Sequence, residues 1–314
     1  MKTRSQTRPA AKTPSPRNRS GGIGAHRAER RAGLVLAAPF GIFFVTFFIV
    51  PLAYSFYASL YRDRLIGGLT FTGMANYLRA AVDPLFWKGV LNVVIFGSMR
   101  LPLIMGFAIL AALLIDAGTS KLAKVFRIGI FLPYAVPSVI AALIWGYIYG
   151  PTFGPIAQIA EGLGHDAPNF FSPDIVLGSL ANIAVWQFVG YNTIILYAAL
   201  RSVSPELYEA AALDGAGALK TAWHIKLPAL RPTLALVVVF SLIATFQYFT
   251  EPRIFAAMAP GTITPSFTPN LYAYNLAFTN QQYSYSAAIS FALGVLVVIA
   301  SSAWMVHNNR KGMR

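Results

Sequence analysis

Cysteine is absent from the 314 residues, which excludes disulfide and thiolate chemistry. Charge is scarce as well: Asp, Glu, Lys and Arg make up 11% of the chain, against roughly 25% in a soluble domain. Histidine occurs four times, at His26, His165, His224 and His307, and none lies deep in an apolar stretch. No H-E-x-x-H pattern is present and no nucleophile–base pair stands out, so neither a membrane metalloprotease nor a histidine proton relay is supported. The sequence therefore offers no catalytic and no metal-binding residues. "GAGALKT" (Gly215–Thr221) resembles a phosphate loop only briefly, because Leu219 stands where the second glycine must be. A polytopic membrane enzyme would need an intramembrane catalytic cluster, and none is visible.

What is abundant is apolar surface, at 56% of residues. Six stretches are each long enough to span roughly 30 Å of hydrocarbon: Leu34–Tyr57, Val90–Ile115, Phe126–Tyr149, Ile175–Leu200, Thr233–Glu251 and Ala287–His307. Six in succession, separated by polar loops, indicate an all-α membrane protein with six transmembrane helices over residues 33–314. Residues 1–32, rich in Pro, Ser, Gly and Arg, cannot bury a core and read as a disordered basic cytoplasmic tail.

The formal net charge of +14 is unevenly placed. Nine of the 25 Lys and Arg precede Gly33. Lys121, Lys124 and Arg127 follow the second stretch, and Arg201, Lys220, Lys226 and Arg231 follow the fourth. Arg310, Lys311 and Arg314 close the chain. The opposite loops hold only Arg62, Arg64, Arg79 and Lys88. This pattern sets topology rather than a nucleic-acid footprint, and by the positive-inside rule both termini are cytoplasmic. Arg100 is the exception, a cation inside the second stretch. It either lines a wet pathway or serves a structural pairing, with Glu251 as one partner to consider.

The loop over residues 201–232 has its own grammar. Ser204 is placed to cap a short helix, with Pro205 at its first position and Glu206 in its first turn. Asp214-Gly215 breaks that helix, the glycine allowing φ > 0. A second short helix follows, ended by Pro228 and Pro232. Tyr208, Trp223 and Ile225 are large apolar groups expected on its surface, as at an interaction site.

The spacing Glu209-Ala210-Ala211, Gly215, Ile225 and Leu227-Pro228, with Trp223 at a commonly aromatic position, resembles the EAA loop of binding-protein-dependent ABC importer permeases. "FTGMANYLRAAVDPLFWKGVLNVVIF", "FLPYAVPSVI", "YAYNLAF" and "IVPLAYSFYASLY" are similar to the carbohydrate type, in particular the maltose- and glycerol-phosphate-type first permease. The resemblance implies a type I importer permease fold in the cytoplasmic membrane of a bacterium or archaeon. It implies a second homologous permease, two ABC ATPase subunits that bind the ATP, an extracytoplasmic solute-binding protein, and lipid around the bundle. No cofactor of the chain's own is implied. ATPase coupling would fall to Glu209, Ala210, Ala211, Asp214, Gly215, Trp223, Ile225, Leu227 and Pro228. The substrate pathway, carried over by motif, would be lined by Tyr134, Ser138, Gln187, Phe188, Tyr191, Ser241, Thr245 and Tyr248, aromatics and neutral hydrogen-bonders suited to a sugar. Ala184, Phe188, Thr245 and Tyr248 depart from the amide-rich maltose-type lining, and Phe246-Gln247-Tyr248-Phe249 lacks the acid of the usual "FDxF"-like motif. The solute is thus a sugar or small oligosaccharide, or alternatively glycerol 3-phosphate or another anion.

Overall fold

The computed structural model describes residues 23–64, 68–118 and 121–312. The tail over residues 1–22 lies outside them. Two compact units are distinguished, one ending at Tyr54 and the other running from Ser55 to Arg314. In the first, α1 (Ile23–Phe44) passes through a π turn (Val45–Ile49) into the start of α2 (Val50–Ser59), whose residues from Ser55 onward belong to the second. The helix starts at Ile23, ahead of the boundary at residue 33 read from composition.

The second unit opens with a hairpin that the sequence reading did not foresee. Strands β1 (Tyr61–Arg64) and β2 (Gly68–Phe71) pair antiparallel, with Tyr61 opposite Phe71. Asn76 anchors the hairpin, its amide Nδ2 donating to the carbonyls of Ser59 (2.8 Å) and Tyr61 (2.6 Å). Helix α3 (Ala75–Val82) leads to α4 (Pro84–Ala117), which is 34 residues long. Asp83 caps α4 by accepting from the Leu85 N–H at 2.9 Å, and Pro84 occupies the first turn, where its missing N–H has no cost. The sides of α4 separate by helical spacing. Ile104, Ala108, Ala112 and Ile115 are buried, while Leu103, Phe107, Leu110 and Leu114 form an exposed apolar stripe suited to lipid or a partner helix.

The third stretch is not one straight span. Helix α5 (Lys121–Phe131) gives way to a 3-10 turn (Leu132–Ala135), and α6 (Ser138–Ile148) leaves at a bend of 97°. Pro137 forces Val136 out of the helical region, to φ −77° and ψ 123°, and has no N–H to continue the ladder. Beyond α7 (Pro155–Gly162), α8 (Val176–Arg201) agrees with the expected fourth span. After α9 (Pro205–Leu213) and α10 (Ala218–Thr221), a π turn (Ala222–Lys226) runs straight into α11 (Leu227–Phe246). Pro228 and Pro232 therefore do not end the second loop helix as expected. Pro228 falls in the first turn of α11, and the wider π turn ahead of it accommodates the lost hydrogen bond. The fifth span also closes earlier than expected, at Phe246, and Glu251 belongs to the next helix, α12 (Thr250–Met258). Helices α13 (Pro269–Phe278) and α14 (Tyr283–Gly312) complete the chain.

The apolar core has three parts. Phe96, Leu180, Ile183 and Phe255 join α4, α8 and α12. Phe86, Tyr272, Leu276 and Ile289 join α4, α13 and α14. Ala108, Ala112, Leu196, Leu200 and Leu230 join α4, α8 and α11. At the N-terminal end of α4, Asp83 Oδ2 accepts from the hydroxyls of Tyr285 (2.6 Å) and Tyr272 (2.8 Å), so one carboxylate holds three helices. Arg79 lies over the Tyr285 ring at 3.8 Å. Burial alone would raise the Asp83 carboxyl, but the two phenol hydroxyls and the Leu85 and Phe86 N–H groups outweigh it and hold the group below its ordinary value. Burial together with this carboxylate pushes the Tyr272 phenol up to about 12.

A folded-state carboxyl lowered below its unfolded value contributes stability at neutral pH that is lost as pH falls through the lowered value. Asp83→Asn should therefore destabilise the purified protein at pH 7 by about 1 kcal/mol, the scale of a partly exposed charge-assisted bond. Thermal unfolding should show the gap between wild type and variant closing below about pH 4. A gap unchanged by acid would contradict this.

Candidate functional site

Two arrangements attract attention, one at the C-terminal end of α4 and one near its middle. The first is the loop over residues 201–232. Pro205 begins α9 and Ser204 has the cap backbone, but its hydroxyl makes no capping bond, contrary to expectation. Gly215 ends the helix with φ +73°, a conformation that a β-carbon strains. The N–H of Ala216 bonds the Ala211 carbonyl (2.9 Å) and the N–H of Gly215 bonds that of Ala212 (3.1 Å), the paired bonds of a glycine-terminated helix. Glu209, Ala210 and Asp214 are exposed on this element, Ala211 is half-buried, and the Glu209 carboxylate makes no ion pair with a described residue.

The apolar surface of the loop differs from the one expected. Trp223 is 68% exposed, but Tyr208 and Ile225 turn partly inward. Leu213 (90% exposed) and Leu219 (82%) take their place, flanking the Gly215 turn. Leu227 and Pro228 are half-buried at the start of α11. Beneath the loop, Lys226 Nζ donates to Asp116 Oδ2 at 2.5 Å, with both side chains largely buried. The same ammonium lies 5.4 Å from the centre of the Tyr208 ring. The loop is thus fastened to the last turn of α4, a link that sequence spacing could not reveal because 110 residues separate the two charges.

The second arrangement surrounds Arg100. It is only 4% exposed and sits halfway along α4. Its Nη1 donates to Thr245 Oγ1 (2.7 Å) and to the Ser241 carbonyl (3.2 Å), while Thr245 Oγ1 itself donates to that carbonyl (2.7 Å). The guanidinium carbon stands 5.2 Å from the centre of the Phe188 ring. Among the described residues no Asp or Glu oxygen lies within 4.0 Å of it. Glu251, weighed as its partner, is buried and acts on Arg100 electrostatically, but the two form no ion pair within 4.0 Å. Gly97, one turn before Arg100, lets α11 approach: a β-carbon there would fall 2.9 Å from the Thr245 methyl.

The residues carried over as pathway lining separate into four groups. Tyr134, at the break between α5 and α6, stacks on Tyr191 (centroids 4.5 Å apart) and meets Phe188 edge-on at 6.0 Å. Gln187 is buried and spans the break, its Nε2 donating to the Val136 carbonyl (2.9 Å) and the Ser138 hydroxyl (3.5 Å). Ser241 and Thr245 are engaged by Arg100. Tyr248 stacks on Phe96 at 4.2 Å, away from the Tyr134 cluster. Gln187 Oε1, the Tyr248 hydroxyl and Trp145 Nε1 are buried without a hydrogen-bond partner. A cavity of about 150 Å³ brings together Arg100, Phe188, Tyr191, Asn192, Ser241 and Phe240. Asn192 and Phe240 were not foreseen. Nor was Gly190, where a β-carbon would overlap the Ile130 backbone carbonyl, so that α8 packs directly on the broken span.

A set of long apolar helices with one broken span, a largely apolar cavity beside a buried arginine and a helical loop fastened to one end describes a multi-pass membrane permease. Residues 104–314 match the family described as binding-protein-dependent transport system inner membrane component, and the chain belongs to that family. The arabinooligosaccharides transport system permease protein AraP of Bacillus subtilis is 28% identical over 291 residues, which cover 92% of each chain. The trehalose/maltose transport system permease protein MalF of Thermococcus litoralis is 30% identical over 274 residues, covering 86% of this chain and 91% of that one. In fold, the chain is similar to a solved bacterial ABC transporter involved in the import of the acidic polysaccharide alginate. The TM-score is 0.78 at 22% identity, over 91% of this chain and 99% of that one. The family is one of transport proteins, not enzymes.

The fastening of the loop can be measured directly. Lys226→Ala and Asp116→Ala should each destabilise the folded protein, and the double variant should lose less than the sum of the two, giving a coupling of about 1–3 kcal/mol for a largely buried pair. Additive losses in thermal unfolding would show that the pair does not hold the loop.

Proposed function

We propose that this chain is the permease subunit of an ATP-driven importer for a sugar or small oligosaccharide, forming half of the translocation pathway. A homologous second permease supplies the other half, two copies of a separate ATPase bind the ATP, and an extracytoplasmic solute-binding protein delivers the solute. The chain needs no cofactor of its own. It lies in the cytoplasmic membrane of a bacterium or archaeon with both termini inside, an orientation supported by the placement of Lys and Arg.

The observation that carries the coupling role is the loop surface. Leu213, Leu219 and Trp223 stand exposed around a glycine turn, beside Glu209, which makes no ion pair with a described residue. Exposed apolar groups of this density on a polar loop fit a protein partner. The Glu209 carboxylate is available for a basic residue of the ATPase. Closure of the ATPase dimer pushes on this loop, and the Lys226–Asp116 link passes the displacement to α4 as well as α11. The cavity then opens alternately to the two sides. Neutral hydrogen-bonders next to stacked Tyr134 and Tyr191 favour a saccharide, since aromatic faces pack on sugar rings. The sugar and oligosaccharide permeases among its relatives support the same reading.

Glu209→Lys and Gly215→Val should reach the membrane at normal level yet lose solute-stimulated ATP hydrolysis in the assembled transporter. The first sets like charges against each other, and the second strains a turn that a β-branched residue adopts poorly. Because the chain lacks cysteine, Ala218→Cys can be labelled cleanly and should react with an impermeant thiol reagent only from the cytoplasmic side. Wild-type transport by either variant, or labelling from outside, would refute the docking role.

A further inference from the structure

From the cavity beside Arg100, we infer that the transported saccharide carries a single negative charge, a carboxylate held by this guanidinium. The inference rests on the saccharide reading above and narrows it to acidic sugars. A guanidinium has five N–H donors. Both of the hydrogen bonds that Arg100 makes use Nη1, so Nε–H and the two Nη2–H groups bond to no described residue. The side chain is nonetheless 4% exposed, and it lines a cavity of about 150 Å³. A buried cation of this kind is costly in a membrane interior. A carbonyl, a hydroxyl and an aromatic face are neutral, and Glu251, the buried acid whose charge acts on Arg100, forms no ion pair with it within 4.0 Å. A carboxylate entering the cavity would accept two of the N–H groups that have no described partner, side by side.

The surroundings suit the rest of such a solute. Tyr191 lines the same cavity and is stacked on Tyr134, giving an aromatic face for a sugar ring next to the guanidinium. Asn192 uses its Nδ2 on the Phe188 carbonyl (2.8 Å), which leaves its amide oxygen to accept from a sugar hydroxyl. The cavity contains one cation and no second Lys or Arg. A phosphate monoester, close to a dianion at neutral pH, would leave about one charge unmatched. A monoanionic carboxylate is matched in full.

The test uses the full-length chain assembled with its second permease and ATPase in lipid nanodiscs and three probes, glucuronate, glucose and glucose 6-phosphate, with binding read by calorimetry. Wild type should bind glucuronate at least tenfold more tightly than either other sugar. Arg100→Gln should abolish the preference for glucuronate over glucose. Because Arg100 also holds α11, Ala244→Asp provides a second variant, placing a competing carboxylate at the cavity wall without touching those bonds, and it should have the same effect. Equal binding of glucuronate and glucose by wild type would overturn the charge inference while leaving the saccharide reading intact. Binding of glucose 6-phosphate in preference to glucuronate would overturn it in favour of a dianion. Failure of all three sugars to bind would count against the saccharide reading as well.

Discussion

The hydrogen bonds from Arg100 to Thr245 and the Ser241 carbonyl bind α4 to α11 at mid-depth, and the rest of the arrangement depends on this crossing. A membrane interior offers no water to satisfy a polar group. An arginine there must find its partners within the protein, and this one finds them on a single neighbouring helix. Gly97 makes the approach possible by presenting no side chain to the Thr245 methyl. The same two helices are joined again about 24 Å farther along α4, at 1.5 Å per residue, where Asp116 meets Lys226. Two polar clamps on one pair of helices leave little freedom for sliding. The loop that precedes α11 is continuous with it, so any force on that loop is delivered to both helices and to the cavity they flank.

The broken third span is the complementary feature. Backbone that leaves the helix within a bilayer is tolerated only where protein covers it. Here α8 provides the cover. Gly190 lets its backbone sit against Ile130, and Gln187 donates to the carbonyl of Val136 exposed by the break. Tyr134 at the break and Tyr191 on α8 stack, so the distortion also sets the aromatic wall of the cavity. Of the three helices that line the cavity, α4 and α11 are clamped to each other, and α8 supplies Phe188, Tyr191, Asn192 and Ile195.

Much of this was legible from residue order, for definable reasons. Hydropathy located every span, because lipid demands long apolar runs, and the Gly215 turn was readable because only its backbone requirement explains a glycine there. The motif located Glu209 and its neighbours, and composition flagged Arg100 as anomalous. What escaped was three-dimensional. The apolar run from Phe126 to Tyr149 conceals the break at Pro137, since a bent span and a straight one have the same hydropathy. Pro228 and Pro232 read as terminators, but a π turn carries the helix through. Tyr208 was expected outside and lies over Lys226, whose partner Asp116 is remote in sequence. Glu251 was weighed against Arg100 by charge, and the two interact electrostatically, but without the close contact of an ion pair. Motif spacing carried no sign that Tyr134 stacks on Tyr191 and Tyr248 on Phe96.

The central claim is that α4 and α11 move as one body when the loop is displaced. The absence of cysteine allows it to be measured by spin labels at Leu114 and Leu236, both exposed on those helices, with a second pair at Leu114 and Ile144 on α6. In the assembled transporter, with and without ATP, the Leu114–Leu236 distance should stay within about 2 Å, the scale of small helix adjustments, while the Leu114–Ile144 distance changes by more. A Leu114–Leu236 distance that shifts as far as the other pair would contradict the account.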